Sequence, residues 1–153
     1  MQKITTFLWF DNNAEEAINF YCSIFPDAKL LNATRCGEAG PGPNGSLLSA
    51  SFQLAGQEFA ALNGGPMFKF NEAVSLVVNC ESQAEVDAYW EKLSAGGQPG
   101  QCGWLKDKFG LSWQIVPTAL PKLLQHPDPA KAARVMQAML QMKKLDIAAL
   151  EQA

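Results

Sequence analysis

A short strand, a helix and then further strands occur in that order twice along this chain, and the recurrence limits the fold more tightly than any single motif. The first copy opens with Ile4 to Phe10, a run of strand-forming residues. In the segment after Asn12-Asn13, Ala14, Ala17, Ile18 and Tyr21 fall at i, i+3, i+4 and i+7, one apolar stripe of a helix. Glu15 and Glu16 suit its first turn through the helix dipole, and Pro26 stops it. The second copy opens with Val74 to Asn79. Its helix begins at Ser82-Gln83-Ala84-Glu85, a capping-box pattern, carries Val86, Tyr89, Trp90 and Leu93 as its stripe, and ends at Gly96-Gly97.

Strands follow each helix. Leu47 to Leu54 and Glu58 to Leu62 flank the turn Ala55-Gly56-Gln57; Cys102 to Lys106 and Leu111 to Val116 flank a turn through Lys108-Phe109-Gly110. An offset of 69 lays Ile4 on Ala73, Thr6 on Ser75, Ala17 on Val86 and Phe20 on Tyr89, and an offset of 54 lays Gly56 on Gly110, Phe59 on Trp113 and Ala60 on Gln114. The difference falls in Cys36 to Gly45, a Gly/Pro-rich loop present only in the first copy. Within the strands, Leu48, Ala50, Phe52 and Leu54 alternate with Ser49, Ser51 and Gln53, and Leu111, Trp113 and Ile115 with Ser112 and Gln114. Each sheet therefore has a dry face, which should carry the helix, and a wetter face open to a ligand, to solvent or to another subunit.

With 48% apolar and 18% charged residues the chain is globular rather than disordered. Residues 1–153 read as one domain, with a first module over 1–66, a second over 70–118 and a helical tail over 119–153. A net charge of −3 offers no basic face for nucleic acid. No apolar run is long enough to span a membrane, and the N-terminal stretch before Asp11 is too short for a secretory signal. Cys22, Cys36, Cys80 and Cys102 form no C-x-x-C pair, and a single histidine, His126, argues against a Cys/His zinc site. The expectation is a cytoplasmic protein with four reduced thiols, mostly buried.

Leu8-Trp9-Phe10-Asp11, Ala14-Glu15-Glu16-Ala17, Phe20-Tyr21, Ile24-Phe25-Pro26, Phe59-Ala60-Ala61-Leu62-Asn63-Gly64-Gly65 and the long block from Gly103 to Pro117 (GWLKDKFGLSWQIVP) resemble the PhnB-like family, also labelled 3-demethylubiquinone-9 3-methyltransferase-like. That family lies in the vicinal oxygen chelate superfamily, with glyoxalase I, bleomycin-resistance proteins and extradiol dioxygenases. The resemblance implies an α+β fold of two βαβββ modules forming a cupped, mixed, mostly antiparallel sheet, plus a C-terminal helix. It also implies a homodimer.

Enzymes of the superfamily hold a divalent metal in the cup through His, Glu or Gln. The corresponding positions here are Ile4, Ala60, Ala73 and Gln114, and only Gln114 offers a side-chain oxygen. The chain thus departs from the metal-dependent pattern, and no cofactor is expected. The methyltransferase label gains no motif either, since no Gly-rich strand-to-helix turn is present for S-adenosylmethionine.

Alternation nominates Thr6, Leu8, Glu58, Leu62, Ser75, Val77, Ser112 and Gln114 as cup-facing, with Trp104 as a flat wall: an apolar pocket with a few hydrogen-bonding groups. Glu58 is the one ionisable member. Buried beside Leu62 it would suit a general base; at the head of a strand it would be solvated. Ser75 and Ser112 read first as satisfied strand hydroxyls, and Gln114 equally as a ligand contact or an internal hydrogen bond. Lys106-Asp107-Lys108 reads as a charged hairpin, either a rim for an anion or a solvated turn, with Gly110 supplying a positive φ. His126 reads as a surface or capping residue. Asp128-Pro129 opens a tail helix with Ala132, Val135, Met136, Met139 and Leu140 as its stripe, packed on its own subunit or at a dimer contact. Three functions compete: a metal-free binder of a small, partly apolar molecule; an enzyme of the superfamily, cofactor-free through Glu58 or metal-dependent; and an interaction module with a filled cup.

Overall fold

A computed structural model describes residues 2–153, which form two compact units, one ending at Phe70 and the other spanning Asn71–Ala153. In the first, β1 (Thr6–Phe10), α1 (Ala14–Ile24), β2 (Lys29–Arg35), β3 (Leu47–Leu54) and β4 (Gln57–Asn63) build a four-stranded sheet of order β1-β4-β3-β2. The β1–β4 pair is parallel and the others antiparallel. Helix α1 buries Ala14, Ala17, Ile18 and Tyr21, the stripe read from the sequence, against Leu8, Phe10, Ala50, Phe52, Phe59 and Ala61. Phe52 stacks on Phe59 with ring centroids 5.5 Å apart. Each such large side chain taken from water contributes roughly 1.5–3 kcal/mol.

The start of α1 is held by tertiary contact. Asn13 makes no side-chain cap; Asn63, at the end of β4, accepts from the Ala14 amide at 2.9 Å and donates to the Leu47 carbonyl at 3.0 Å. The loop after β2 is closed at its root by Cys36 N–H to Ser46 O at 2.8 Å and Gly45 N–H to Cys36 O at 2.7 Å.

The second unit repeats the plan with β5 (Ser75–Cys80), α2 (Gln83–Ser94), β6 (Gln98–Pro99), β7 (Trp104–Lys106) and β8 (Ser112–Pro117) in the order β5-β8-β7-β6. Again the first and last strands pair in parallel. Ser82 caps α2 by accepting from the Glu85 amide at 3.2 Å, while the Glu85 carboxylate accepts from the Glu81 amide rather than from Ser82. Trp113, Ile115, Leu105 and Cys80 lie on the face covered by α2.

The tail holds three helices, α3 (Ala119–Leu124), α4 (Pro129–Leu140) and α5 (Ile147–Gln152), where the sequence signals only the second. The outer two are six residues each, too short to show a helical period. Leu120, Val135, Leu145 and Leu150 form their shared core. Of the stripe read on α4, Val135 is buried, while Met136 and Leu140 are exposed. Asp128 caps α4 by accepting from the Ala130 amide, with Pro129 at its first turn, and His126 Nδ1 accepts from the Asp128 amide at 3.0 Å. Among the described residues no helix is long and apolar enough to cross a membrane. The four cysteines are free thiols; Cys36 and Cys80 are buried and Cys22 and Cys102 half-buried.

Candidate functional site

Strand register decides which side chains share the face that a helix leaves uncovered. In the second sheet Ser75 pairs with Ser112, Val77 with Gln114, Trp104 with Gln114 and Lys106 with Ser112. Directly opposed residues project to one side. Two rows therefore lie across the uncovered face: Lys106, Ser112 and Ser75, then Trp104, Gln114 and Val77. The five sequence-nominated residues of this unit (Ser75, Val77, Trp104, Ser112 and Gln114) are brought together there. Gln114 Nε2 donates to Ser75 Oγ at 2.9 Å, tying the rows.

In the first sheet the nominated set divides. Glu58 and Leu62 lie on the uncovered face, with Gln53 and Ser49 opposite them. Thr6 and Leu8 do not. They pair with Phe59 and Ala61 on the side that α1 covers, and Leu8 is buried. The residues of β1 on the uncovered face are Phe7 and Trp9, opposite Ala60 and Leu62. The cause is one extra residue between strand and helix. Phe10 ends β1 three residues before α1 ends its approach at Asn13, whereas Cys80 is separated from α2 by Glu81 and Ser82 alone. The helices keep an offset of 69, but the strands need 70, laying Phe7 on Val77. A slip of one residue reverses a strand's faces.

A cavity of about 150 Å³ opens beside the first row of the second sheet, lined by Trp104, Lys106, Ser112, Gln98, Pro99 and Glu72 among others. Ser112 is fully buried and its Oγ has no hydrogen-bond partner among the described residues. At the rim Lys106 Nζ forms an ion pair with the Glu72 carboxylate. Hydrogen bonding and charge from Lys106 hold the Glu72 carboxyl below its ordinary range. In the sequence Lys106 reads as part of a charged hairpin that could rim an anion; Glu72, Gln98 and Pro99 escape that reading, because Glu72 lies in the segment before β5 and β6 is only two residues long.

Asp107 is neither a ligand rim nor a solvated turn. It is buried, and its carboxylate accepts from the amides of Phe109 at 2.9 Å and Leu111 at 3.0 Å and from the Trp113 indole at 2.9 Å. Gly110 does take the positive φ, at 88°. Glu58 is half-buried at the head of β4, where its backbone bonds Gln2.

The residues at the positions where the resemblance would place a metal do not fit a divalent cation. Ile4 and Ala73 precede their strands, Ala60 lies in β4, and all three are hydrocarbon. Gln114, whose Nε2 donates to Ser75, leaves a single amide oxygen, which does not by itself make a cation site. Among the described residues no three His, Cys, Asp or Glu side chains gather into a metal-holding group.

The family model described as 3-demethylubiquinone-9 3-methyltransferase matches residues 2–116. A PhnB protein from Bacillus cereus is 41% identical, with a TM-score of 0.70 over 76% of this chain and 100% of that one. Protein PA1353 from Pseudomonas aeruginosa is 20% identical at a TM-score of 0.63, over 76% and 98% of the two chains. FosX, a fosfomycin resistance protein from Listeria monocytogenes solved with Mn(II) and sulfate, is 17% identical at 0.55, over 75% and 91%. The last two show the fold alone. No curated protein matches. The repeated α+β modules, the family match and the Bacillus cereus relative together establish that this chain belongs to the PhnB-like family, described as 3-demethylubiquinone-9 3-methyltransferase.

Proposed function

We propose that this protein is a metal-free member of its superfamily that binds a small, partly apolar molecule on the uncovered face of the second sheet. One observation carries the reading: a cavity of about 150 Å³ meets Ser112, a buried hydroxyl with no partner among the described residues. Buried polar groups are almost always hydrogen-bonded, so a lone one beside a cavity calls for an acceptor or donor from outside. Trp104 supplies a flat apolar wall, and the Ser75–Gln114 pair supplies fixed dipoles in the next row. Hydrocarbon at three of four metal positions supports binding without a cation. Neither sheet is the doubly wound parallel kind that usually holds S-adenosylmethionine, which leaves methyl transfer without support.

To the same reading belong a homodimer, supported by the exposed Phe7 and Val77 on uncovered sheet faces, and a cytoplasmic location, which suits four free thiols. Sedimentation velocity tests the first.

A thermal-shift panel of compact aromatic molecules, neutral and anionic, tests the binding. A compound at 100 times its dissociation constant stabilises by about 2.7 kcal/mol. The shift should shrink in Gln114→Ala and vanish in Trp104→Ala. A chelator should leave the melting point unchanged, and Mn(II) should not raise it. Shifts that survive both substitutions, or a melting point that collapses on chelation, would refute the proposal.

A further inference from the structure

The cavity beside Ser112 also carries information about its ligand, an inference that rests on the reading above. Its volume, about 150 Å³, is of the order that admits a benzene-sized ring. Trp104 and Pro99 give it apolar walls. Its charged groups stand together at one side: Lys106 lies directly opposite Ser112 across the β7–β8 pair, so ammonium and unpartnered hydroxyl project from the same face. Both are donors toward an anion, and only one carries charge, which matches a single negative charge. The chain already places a carboxylate on that ammonium, from Glu72.

Glu72 itself is easily given up. It lies between β4 and β5, outside any strand or helix, and its side chain is 58% exposed. An exposed ion pair contributes little, so exchanging one carboxylate for another at Lys106 costs little. What a second carboxylate gains over Glu72 is the buried Ser112 hydroxyl and the ring's contact with Trp104.

We propose that this cavity takes a compact aromatic monocarboxylate, benzoate-sized, whose carboxylate replaces that of Glu72 on Lys106 and accepts the Ser112 hydroxyl, with the ring against Trp104. Glu72 swings into solvent on binding. No covalent step is involved.

Calorimetric titration of the full chain with benzoate, and with benzamide as its neutral counterpart, tests this. Benzoate should bind about tenfold more tightly than benzamide, the size of one charge-assisted hydrogen bond. Lys106→Met should erase that preference, and Glu72→Gln should tighten benzoate binding severalfold by removing the internal competitor. Ser112→Ala should weaken benzoate about tenfold while raising the melting point of the unliganded protein, because an unsatisfied buried hydroxyl has been removed. Lys106 and Glu72 are partly exposed, so their variants will fold even where a change at Ser112 does not. Equal binding of benzamide and benzoate would overturn the anion assignment and leave the small-molecule site standing. A preference for benzoate over benzamide that persists in Lys106→Met would overturn it too. Binding of neither compound would overturn both.

Discussion

The indole Nε1 of Trp113 donates to Asp107 Oδ2 at 2.9 Å, so a charge in the turn after β7 is held by a ring near the start of β8. The other carboxylate oxygen accepts from the amides of Phe109 and Leu111, which shape the turn itself. A buried carboxylate survives when its lone pairs are filled in this way. Asp107→Ala takes the Asp107 acceptor from two buried donors, the Leu111 amide and the Trp113 indole, and from the part-buried Phe109 amide, and at about 1–3 kcal/mol for each buried one should destabilise the fold by about 3 kcal/mol. Asp107→Asn keeps an oxygen for the two amides and turns an NH₂ toward the indole, so the loss should be smaller, about 1–3 kcal/mol. Urea unfolding followed by tryptophan fluorescence measures both; equal stability of Asp107→Ala and the parent would remove this role.

Asn63 joins the end of β4 to the start of α1 and to the start of β3. It takes the place of the local N-cap that Asn13 does not supply. Asn63→Ala should cost about 1–2 kcal/mol, as the loss of a helix cap does. Asn63→Asp keeps the acceptor for the Ala14 amide and loses the donor to Leu47 O, so it should fall between the two. Denaturant midpoints of the three proteins check the order; an Asp variant weaker than the Ala variant would contradict it.

Trp9 lies across Gly64. A Cβ on Gly64 would fall inside the indole of Trp9, which is also fixed by donation to Gly65 O at 2.9 Å and by an edge contact with Phe68 at 4.9 Å. Gly64→Ala must therefore move the ring. The expected cost is about 1–3 kcal/mol, as for overpacking, with a red shift of tryptophan emission. An unchanged near-ultraviolet circular dichroism spectrum in this variant would show that Trp9 had not moved.

The architecture was legible because it rests on periodicity. Ala14, Ala17, Ile18 and Tyr21 announce α1, and the alternation of Leu48 to Leu54 announces a half-covered sheet. Within the second unit the nominated residues do share one sheet face, since Ser112 and Gln114 alternate with Trp113 and Ile115 in an unbroken strand. In β1 the same reasoning failed for Thr6 and Leu8, because an offset valid for the helices was carried across a turn that differs in length by one residue. A sequence shows the number of residues in such a turn but not which of them the strand absorbs. The fully exposed edge strand β2 carries no alternation to read, and Lys106 reaches the cavity through a pairing with Ser112 that only the folded hairpin fixes. Asp107 looked solvated because its neighbours are lysines; its burial comes from Trp113, six residues away.

The pH dependence of stability should report on Cys80. Its thiol is pushed up from 9.0 to about 11, first by burial and then by the charges of Glu85 and Glu81. Between those two values the unfolded chain has released the proton that the folded protein still holds. The unfolded state then binds fewer protons, so stability declines as pH rises through that window. The contribution is complete below 9.0 and lost once the pH passes about 11. Tyr89, raised from 10.0 by burial and by Glu85, acts in the same direction at the upper end. Urea midpoints recorded between about pH 8 and pH 11 should therefore decline, and Cys80→Ala, though less stable at pH 8 through its lost packing, should decline less steeply. Iodoacetamide should also label native Cys80 more slowly than the half-buried Cys102, because the thiolate is the reactive form and burial withholds it. A Cys80→Ala profile as steep as the parent's would place the alkaline transition elsewhere, with Tyr89 the next group to replace.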